Sequence, residues 1–330
     1  MTMRVLAGDI GGTHSRFLVA EVEGDRVVTV AEGRVPSGDH PDLAPAVRAA
    51  FPDGVPGSPA RACFAVAGPV HGGKARLTNL PWTLEEGALA ADLGLERVVL
   101  INDFVGVGEG LPTLGPGQYE TLQAGEPEPG GTIGYLGPGT GLGQGALVPC
   151  AGDYAVVHSE GGHAGLAPRT EREAALVAWW RARLGRVCRE DLLSGPGLGR
   201  IATYLREGEG IQPGAEVAAA LAEGETDPAA ILGRAGLAGE DPLAAATVAT
   251  FVELLGAVAG DWGLETAATG GLFLAGGIPP RLLPALRDPS FLEAFNDKGP
   301  MADLAARLPV HVVTESRIGL LGAARRAAAD

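Results

Sequence analysis

A small set of polar residues offers the chemistry in this sequence. Asn102 and Asp103 stand directly after the aliphatic run Val98-Val99-Leu100-Ile101. A continuous apolar run of that length reads as a parallel strand covered on both faces. Ligands of open α/β sheets bind outside the carboxyl ends of such strands, so a carboxylate at that place suits a general base. The other reading makes Asn102 or Asp103 the N-cap of a following helix; on this stretch alone both readings stand. Ser159-Glu160-Gly161-Gly162-His163 sets an acid and an imidazole on a glycine bend. Its two glycines argue against the helical Glu-x-x-His spacing of a metal site, and His163 taken alone reads more readily as a packed polar residue. Glu190 precedes the turn Leu192-Leu193-Ser194-Gly195-Pro196-Gly197. Asn102, Asp103, Glu160, His163 and Glu190 are acceptors and ambivalent donors, with no Arg or Lys among them. Such a set suits the hydroxyls of a neutral polyol better than an anion.

A second group of residues suits phosphate. Gly11-Gly12-Thr13 and Gly139-Thr140-Gly141 each place a Thr in a glycine-rich bend between strands, and Ala275-Gly276-Gly277 joins a strand to a helix. Neither bend is a Walker A loop, because no Gly-Lys-Ser/Thr follows. Glycine instead permits close backbone approach, so successive N–H groups can face an anion. Taken together the three segments point to a nucleotide cleft, in which Asp9 would hold Mg²⁺ through its waters. Gly197-Leu198-Gly199 with Ala202 imitates a dinucleotide fingerprint, but no strand precedes it.

The elements that must position these groups follow from the apolar pattern. Arg4–Asp9, Arg16–Val22 and Arg26–Ala31 read as three antiparallel strands, followed by a helix over Asp42–Phe51. Arg61–Val66 is a strand, and Leu84–Leu93 is a helix with Thr83 as its N-cap, leading into the Val98 strand. The theme then recurs: strand Thr132–Leu136, glycine bend, return strand Gly145–Val148. This weak self-similarity predicts two related lobes with a cleft between them. Glu171–Leu184 is an amphipathic helix. Residues 200–265 read as helical, with turns near Gly208–Gly210 and Glu223–Asp227. Leu272–Ala275 is a strand before a helix from about Arg281, Val310–Val313 is a last strand, and Leu320–Ala329 a last helix.

Composition narrows the classes. A chain of 330 residues is long for a single core, so two domains are expected. Its formal charge of −15 argues against a nucleic-acid partner, since phosphate-backbone binding needs clustered Lys and Arg. Cys63, Cys150 and Cys188 lie far apart with no CxxC pair, which disfavours a disulfide framework or a zinc site. The first strand begins by Val5, leaving no room for a signal peptide. No apolar stretch approaches the roughly 18 residues a membrane span requires. The expectation is a soluble, cytoplasmic protein with no membrane partner.

Several motifs occur in order along nearly the whole chain: Asp9-Ile10-Gly11-Gly12-Thr13, Thr78-Asn79 with Trp82, Ile101-Asn102-Asp103-Phe104, Gly139-Thr140-Gly141-Leu142-Gly143, Glu160-Gly161-Gly162-His163, Leu193-Ser194-Gly195-Pro196-Gly197 and Ala275-Gly276-Gly277-Ile278. With Phe295-Asn296-Asp297-Lys298-Gly299 and Gly319-Leu320-Leu321-Gly322, the chain resembles the bacterial ATP-dependent glucokinase family. His14 departs from the family's usual Asn after Thr13, and the Cys-rich zinc motif of a related repressor and sugar-kinase group is absent. The resemblance implies an α/β, two-lobed actin-like ATPase (ribonuclease H-like) fold, with a small domain of 1–113 plus 317–330, a large domain of 114–316 and a ligand cleft between them. It also implies that Asp103 is the catalytic base for the glucose 6-hydroxyl. Asn79, Asn102, Glu160, His163 and Glu190 would bind the sugar. Asp9, Gly11, Gly12, Thr13, Gly139, Thr140, Gly141, Gly276 and Gly277 would serve ATP with Mg²⁺, in a homodimer. Two other readings remain: a kinase with a broader hexose range or another donor (ADP or polyphosphate), and a sugar-sensing regulator. The acidic charge leans against polyphosphate, while Asp103 and the early first strand lean against a regulator.

Overall fold

The structure, a computed structural model, describes residues 2–77, 79–223 and 228–329; Thr78 and residues 224–227, where the second helical turn is expected, lie outside them. The chain divides into two compact units, Met1–Gln118 with Glu315–Asp330, and Tyr119–Thr314. The division falls at 118/119 and 314/315, against the expected 113/114 and 316/317. Gln118 stays with the first unit through two bonds: its side-chain amide donates to Glu315 at 2.9 Å, and its carbonyl accepts from the Glu315 N–H at 3.1 Å.

In the first unit, β1 (Met3–Ile10), β2 (His14–Glu23) and β3 (Arg26–Pro36) form an antiparallel meander, and β4 (Arg61–Val66) pairs parallel to β1. A small antiparallel sheet of β5 (Val70–His71), β6 (Lys74–Arg76) and β7 (Thr83–Glu85) follows. The main sheet is completed by β8 (Arg97–Asn102), in the order β3-β2-β1-β4-β8. Helices α1 (Leu43–Ala50) and α2 (Glu86–Leu93) lie between these strands. Thr83 is not the N-cap expected of it: it belongs to β7, whose pairing with Arg76 competes for its backbone, and α2 begins three residues later. Helix α3 (Asp103–Gly110) leaves the end of β8.

One face of this sheet buries Leu6, Phe17, Phe64 and Leu100 against α1 and the Trp82 loop. The other buries Val5, Ala7, Cys63 and Ala65 against the C-terminal helix Ile318–Ala328. That helix also meets α3 at contact distance. A Cβ on Gly322 would overlap the Gly106 carbonyl, and one on Gly106 would stand 3.2 Å from the Gly319 carbonyl.

The second unit repeats the plan. β10 (Ile133–Pro138), β11 (Leu142–Cys150) and β12 (Asp153–Ser159) form the meander, while β13 (Gly271–Leu274) and β14 (Val310–Val313) run parallel beyond β10. β9 (Tyr119–Gln123) pairs antiparallel with β14 at the edge. Helices α4 (Glu171–Leu184), α5 (Arg189–Leu192), α6 (Gly195–Glu207), α7 (Ala215–Glu223), α8 (Pro228–Ala238) and α9 (Pro242–Glu265) fill the long crossover. The segment expected to be helical over 200–265 also breaks at 239–241, where Asp241 caps α9 by accepting from the Ala244 N–H at 2.8 Å. Helices α10 (Leu283–Leu286), α11 (Pro289–Asn296) and α12 (Ala302–Arg307) precede β14. One expectation is corrected here. Helix α9 is long and apolar enough to cross a membrane by length and composition, and 78% of its apolar 18-residue stretch is buried because it is the core helix of this unit, packed on α6, α8 and α11.

Candidate active site

In the first unit, parallel pairing levels the strand ends. Ile10 of β1 stands opposite Val66 of β4, which stands opposite Asn102 of β8. The Gly11–Thr13 bend and the Asn102-Asp103 pair therefore emerge at the same edge, two strand spacings or about 10 Å apart. Asn102 is the N-cap of α3: its side-chain oxygen accepts from the N–H groups of Phe104 at 2.9 Å and Val105 at 3.4 Å. Its amide nitrogen donates to the Gly68 carbonyl at 3.2 Å. The capping reading thus belongs to Asn102, which frees Asp103 for chemistry. The second amide hydrogen of Asn102 is what it has left to offer a hydroxyl.

Asp103 opens α3 with its side chain accessible to solvent on one side, one oxygen accepting from the Phe104 N–H at 2.8 Å. Loss of bulk hydration raises its carboxyl above the ordinary aspartate range, and the hydrogen bonds from Phe104 and Asn102 pull it back. Asp9 shifts the same way. Burial dominates, Arg16 opposes it, and the charge of Asp103 adds to it. Arg16 is the register partner of Asp9 across β1 and β2. Sequence reading passed it over; the hairpin register, nine paired with sixteen, is the signal that finds it.

The Gly11–Thr13 bend is braced from behind. Ser37 Oγ donates to the Gly11 carbonyl at 2.7 Å and shares a 2.9 Å bond with Ser15 Oγ, both serines being fully buried. The Ser37 N–H donates to the Thr13 carbonyl at 3.0 Å. Asn79 lies against the front: a Cβ on Gly12 would stand 2.8 Å from Asn79 Cβ. Trp82 fixes that loop, its indole N–H donating to the His40 carbonyl at 3.1 Å. Asp9, the bend, Asn79, Asn102 and Asp103 are thus gathered in the first unit.

The second unit gathers the rest. Gly139–Gly141 closes with the Gly139 N–H donating to the Gly141 carbonyl at 2.8 Å, and the Gly195 N–H donates to the Gly139 carbonyl at 2.8 Å. Gly276, at φ +83°, brings its backbone beside Pro138, whose carbonyl would stand 3.0 Å from a Cβ there. The two expected nucleotide segments are therefore neighbours. The Glu160–His163 bend is tied to the segment before α5 by the Gly165–Cys188 bridge and by the Arg189 N–H donating to the Ala164 carbonyl at 2.9 Å. His163 Nδ1 consequently lies 3.9 Å from Cys188 Sγ.

Glu190 has a second occupation that sequence reading did not foresee. Its carboxylate accepts from the Leu142 N–H at 2.8 Å and excludes any side chain at Gly141, where a Cβ would stand 2.5 Å from it. The Leu142 carbonyl lies against Gly162. One residue, Leu142 at the exit of the glycine bend, is thereby held through its N–H and its carbonyl between the two parts of the expected sugar clamp.

The two units share a five-strand plan with a glycine bend at the first hairpin, extended by β9 in the second, and the first carries a carboxylate just beyond the end of its fifth strand. That is the two-lobed actin-like ATPase fold in its sugar-kinase form. The family model described as Glucokinase matches residues 6–330. A glucokinase from a Nostoc species is 40% identical over 337 residues, covering 98% of each chain. The crystal structure of a glucokinase from an Antarctic psychrotroph matches with a TM-score of 0.87 at 34% identity, covering 98% of each chain. A ROK family glucokinase from Streptomyces griseus, solved with glucose and AMPPNP, shares the fold with a TM-score of 0.64 at 22% identity, covering 98% of this chain and 99% of that one. The chain belongs to the glucokinase family.

Proposed function

We propose that this protein transfers the γ-phosphoryl group of ATP to the 6-hydroxyl of glucose, giving glucose 6-phosphate and ADP, the first step of glycolysis. The single observation that carries the residue assignment is the level register of β1, β4 and β8, which brings Asp103 to the same edge as Asp9 and the Gly11–Thr13 bend. Phosphoryl transfer is mostly positioning and charge stabilisation, with one base orienting the nucleophile. Asp103 takes the proton of the 6-hydroxyl as its oxygen bonds to phosphorus and the bond to the ADP oxygen breaks. Asn79 and Asn102 hold neighbouring hydroxyls, and Glu160, His163 and Glu190 hold the remainder of the ring. Acceptors that pair with sugar hydroxyls discriminate strongly, because an analogue lacking a hydroxyl leaves one unpaired in the occupied site. The backbone N–H groups of Gly11, Gly12 and Thr13 and of Gly139, Thr140 and Gly141 bind phosphate oxygens, and Gly276-Gly277 borders the adenosine.

The donor set fits Mg²⁺. Among the described residues no group of three or more His, Cys, Asp or Glu is placed to hold a metal ion, and Mg²⁺ retains most of its waters and needs one or two carboxylates. Asp9 is half-buried, with the charge of Asp103 acting on it; it would hold the hydrated ion. When bound, Mg²⁺ neutralises the charge of the ATP phosphates. The reading extends to a cytoplasmic homodimer.

A coupled assay on the purified protein with several hexoses and with ATP, ADP and polyphosphate tests it. Turnover of glucose with ATP that stops on chelation of Mg²⁺ is expected. Comparable turnover with ADP or polyphosphate would overturn the donor assignment, and glucose binding without turnover would favour a sensor.

A further inference from the structure

Gln144 follows Gly143 in β11 and faces Ser159 of β12 across the register. Its side chain is 1% exposed, and neither its amide oxygen nor its amide nitrogen meets a hydrogen-bond partner. A primary amide has two donors and two acceptor positions. Burying it unpartnered forfeits what water gave it, whereas an apolar residue of the same length would fill the space without that loss. The position of the amide is specific. Its oxygen lies against Gly161, where any Cβ would collide with it and would stand 3.1 Å from Ser159 Oγ. Gly161 sits between the two exposed groups of the clamp, Glu160 and His163. A buried, unpartnered amide is therefore aimed at the backbone that carries the sugar-binding side chains.

We propose that Gln144 is a positioning residue for glucose: its amide bonds to the backbone of the Glu160–His163 bend in the sugar-bound form and so fixes the orientation of both side chains. This rests on the assignment of Glu160 and His163 to glucose. In the free protein the bend satisfies itself, with the Gly161 N–H donating to Ser159 Oγ at 3.0 Å and the His163 N–H donating to the Glu160 carbonyl at 3.0 Å. Gln144 then stands in reserve. When glucose draws Glu160 and His163 inward, the backbone between them turns toward the amide, and an unmade bond becomes a made one. The gain appears in glucose affinity and not in the stability of the free protein. A purely structural glutamine does the reverse.

The test is the near-isosteric apolar variant Gln144→Met. It is expected to melt at or above the wild-type temperature, to raise KM for glucose about tenfold, which corresponds to one lost net hydrogen bond, and to leave KM for ATP within about twofold. A glucose KM within twofold of wild type, or a lowered melting temperature with both KM values moved together, overturns the proposal. Crystals of the wild-type protein with and without glucose decide it independently of whether the variant folds. The Gln144 amide must gain a backbone partner from residues 160–163 only with glucose present, and identical contacts in both forms overturn it. Glu160→Gln separates the two levels. If that change leaves glucose KM untouched, the clamp assignment fails; if it raises KM while Gln144→Met does not, the inference alone fails.

Discussion

Loss of bulk hydration raises the Asp103 carboxyl above its ordinary value of 3.8. The folded protein therefore holds that proton more tightly than the unfolded chain. Stability from this group is present while it is protonated and is lost as pH rises through the raised folded pKa, so at neutral pH the carboxylate opposes folding. With Asp103 as the proposed base, activity runs the other way, because the carboxylate and not the acid accepts the 6-hydroxyl proton. Asp103→Asn is expected to lower kcat by about 10²–10⁴-fold, the range of general-base help. Glucose binding should survive, and the melting temperature at pH 7 should equal or exceed that of the wild type. Steady-state kinetics, calorimetric glucose titration and a thermal melt on the same preparation check all three; comparable turnover would remove Asp103 from the mechanism. The acid limb of the wild-type pH–rate profile should lie above the ordinary aspartate value and disappear in the variant.

Two helices, α3 and the C-terminal helix, meet closely: a Cβ on Gly322 would overlap the Gly106 carbonyl, and one on Gly110 would overlap the Ile318 carbonyl. α3 starts at Asp103, so this contact sets where the proposed base stands. Gly322→Ala would drive a methyl into the Gly106 carbonyl; it is expected to cost about 1–3 kcal/mol of stability, as overpacking does, and to depress kcat more than it changes KM for glucose. A denaturant melt and initial-rate kinetics read both effects. A variant as stable and as active as wild type would mean that the helices separate freely. This contact is not legible in the sequence, where Gly319 and Gly322 belong to a motif at the start of the last helix and nothing marks α3 as its packing partner. The Val98–Ile101 strand and the two glycine hairpins were legible, because their apolar runs and bends are local and uninterrupted. The Thr83 cap was misread because sheet pairing with Arg76 outweighed capping preference. Ser37 and Gln144 escaped for a different reason: their roles exist only once distant backbone, Gly11 or Gly161, is folded against them. The sequence motifs located the side chains that face ligands, while the groups bracing them from behind have no pattern of their own.

At the scale of the molecule the two units share a plan, β3-β2-β1-β4-β8 in one and β12-β11-β10-β13-β14 in the other. Only the first unit is discontinuous in sequence, completed by Glu315–Asp330. Leu320, Leu321, Ala323 and Ala324 of that segment are buried against Val5, Ala7, Cys63 and Ala65. Removing residues 315–330 is therefore expected to strip one whole face of the first sheet and abolish turnover. The second unit, whose core draws on residues 122–312, should remain protease-resistant. Limited proteolysis of the truncated chain tests this, and loss of both units together would show that neither folds alone.

The C-terminal helix also has a consequence for synthesis. A ribosome delivers β1 some three hundred residues before this helix. The strands that carry Asp9 and Asp103 must wait, with one apolar face uncovered, while the continuous second unit emerges and closes on its own residues. The unit begun before the other is thus completed after it, and Asp103 settles into place only when the helix Ile318–Ala328 has left the ribosome. Nascent chains arrested before residue 318 should accordingly be cleaved within residues 1–118 while the second unit resists.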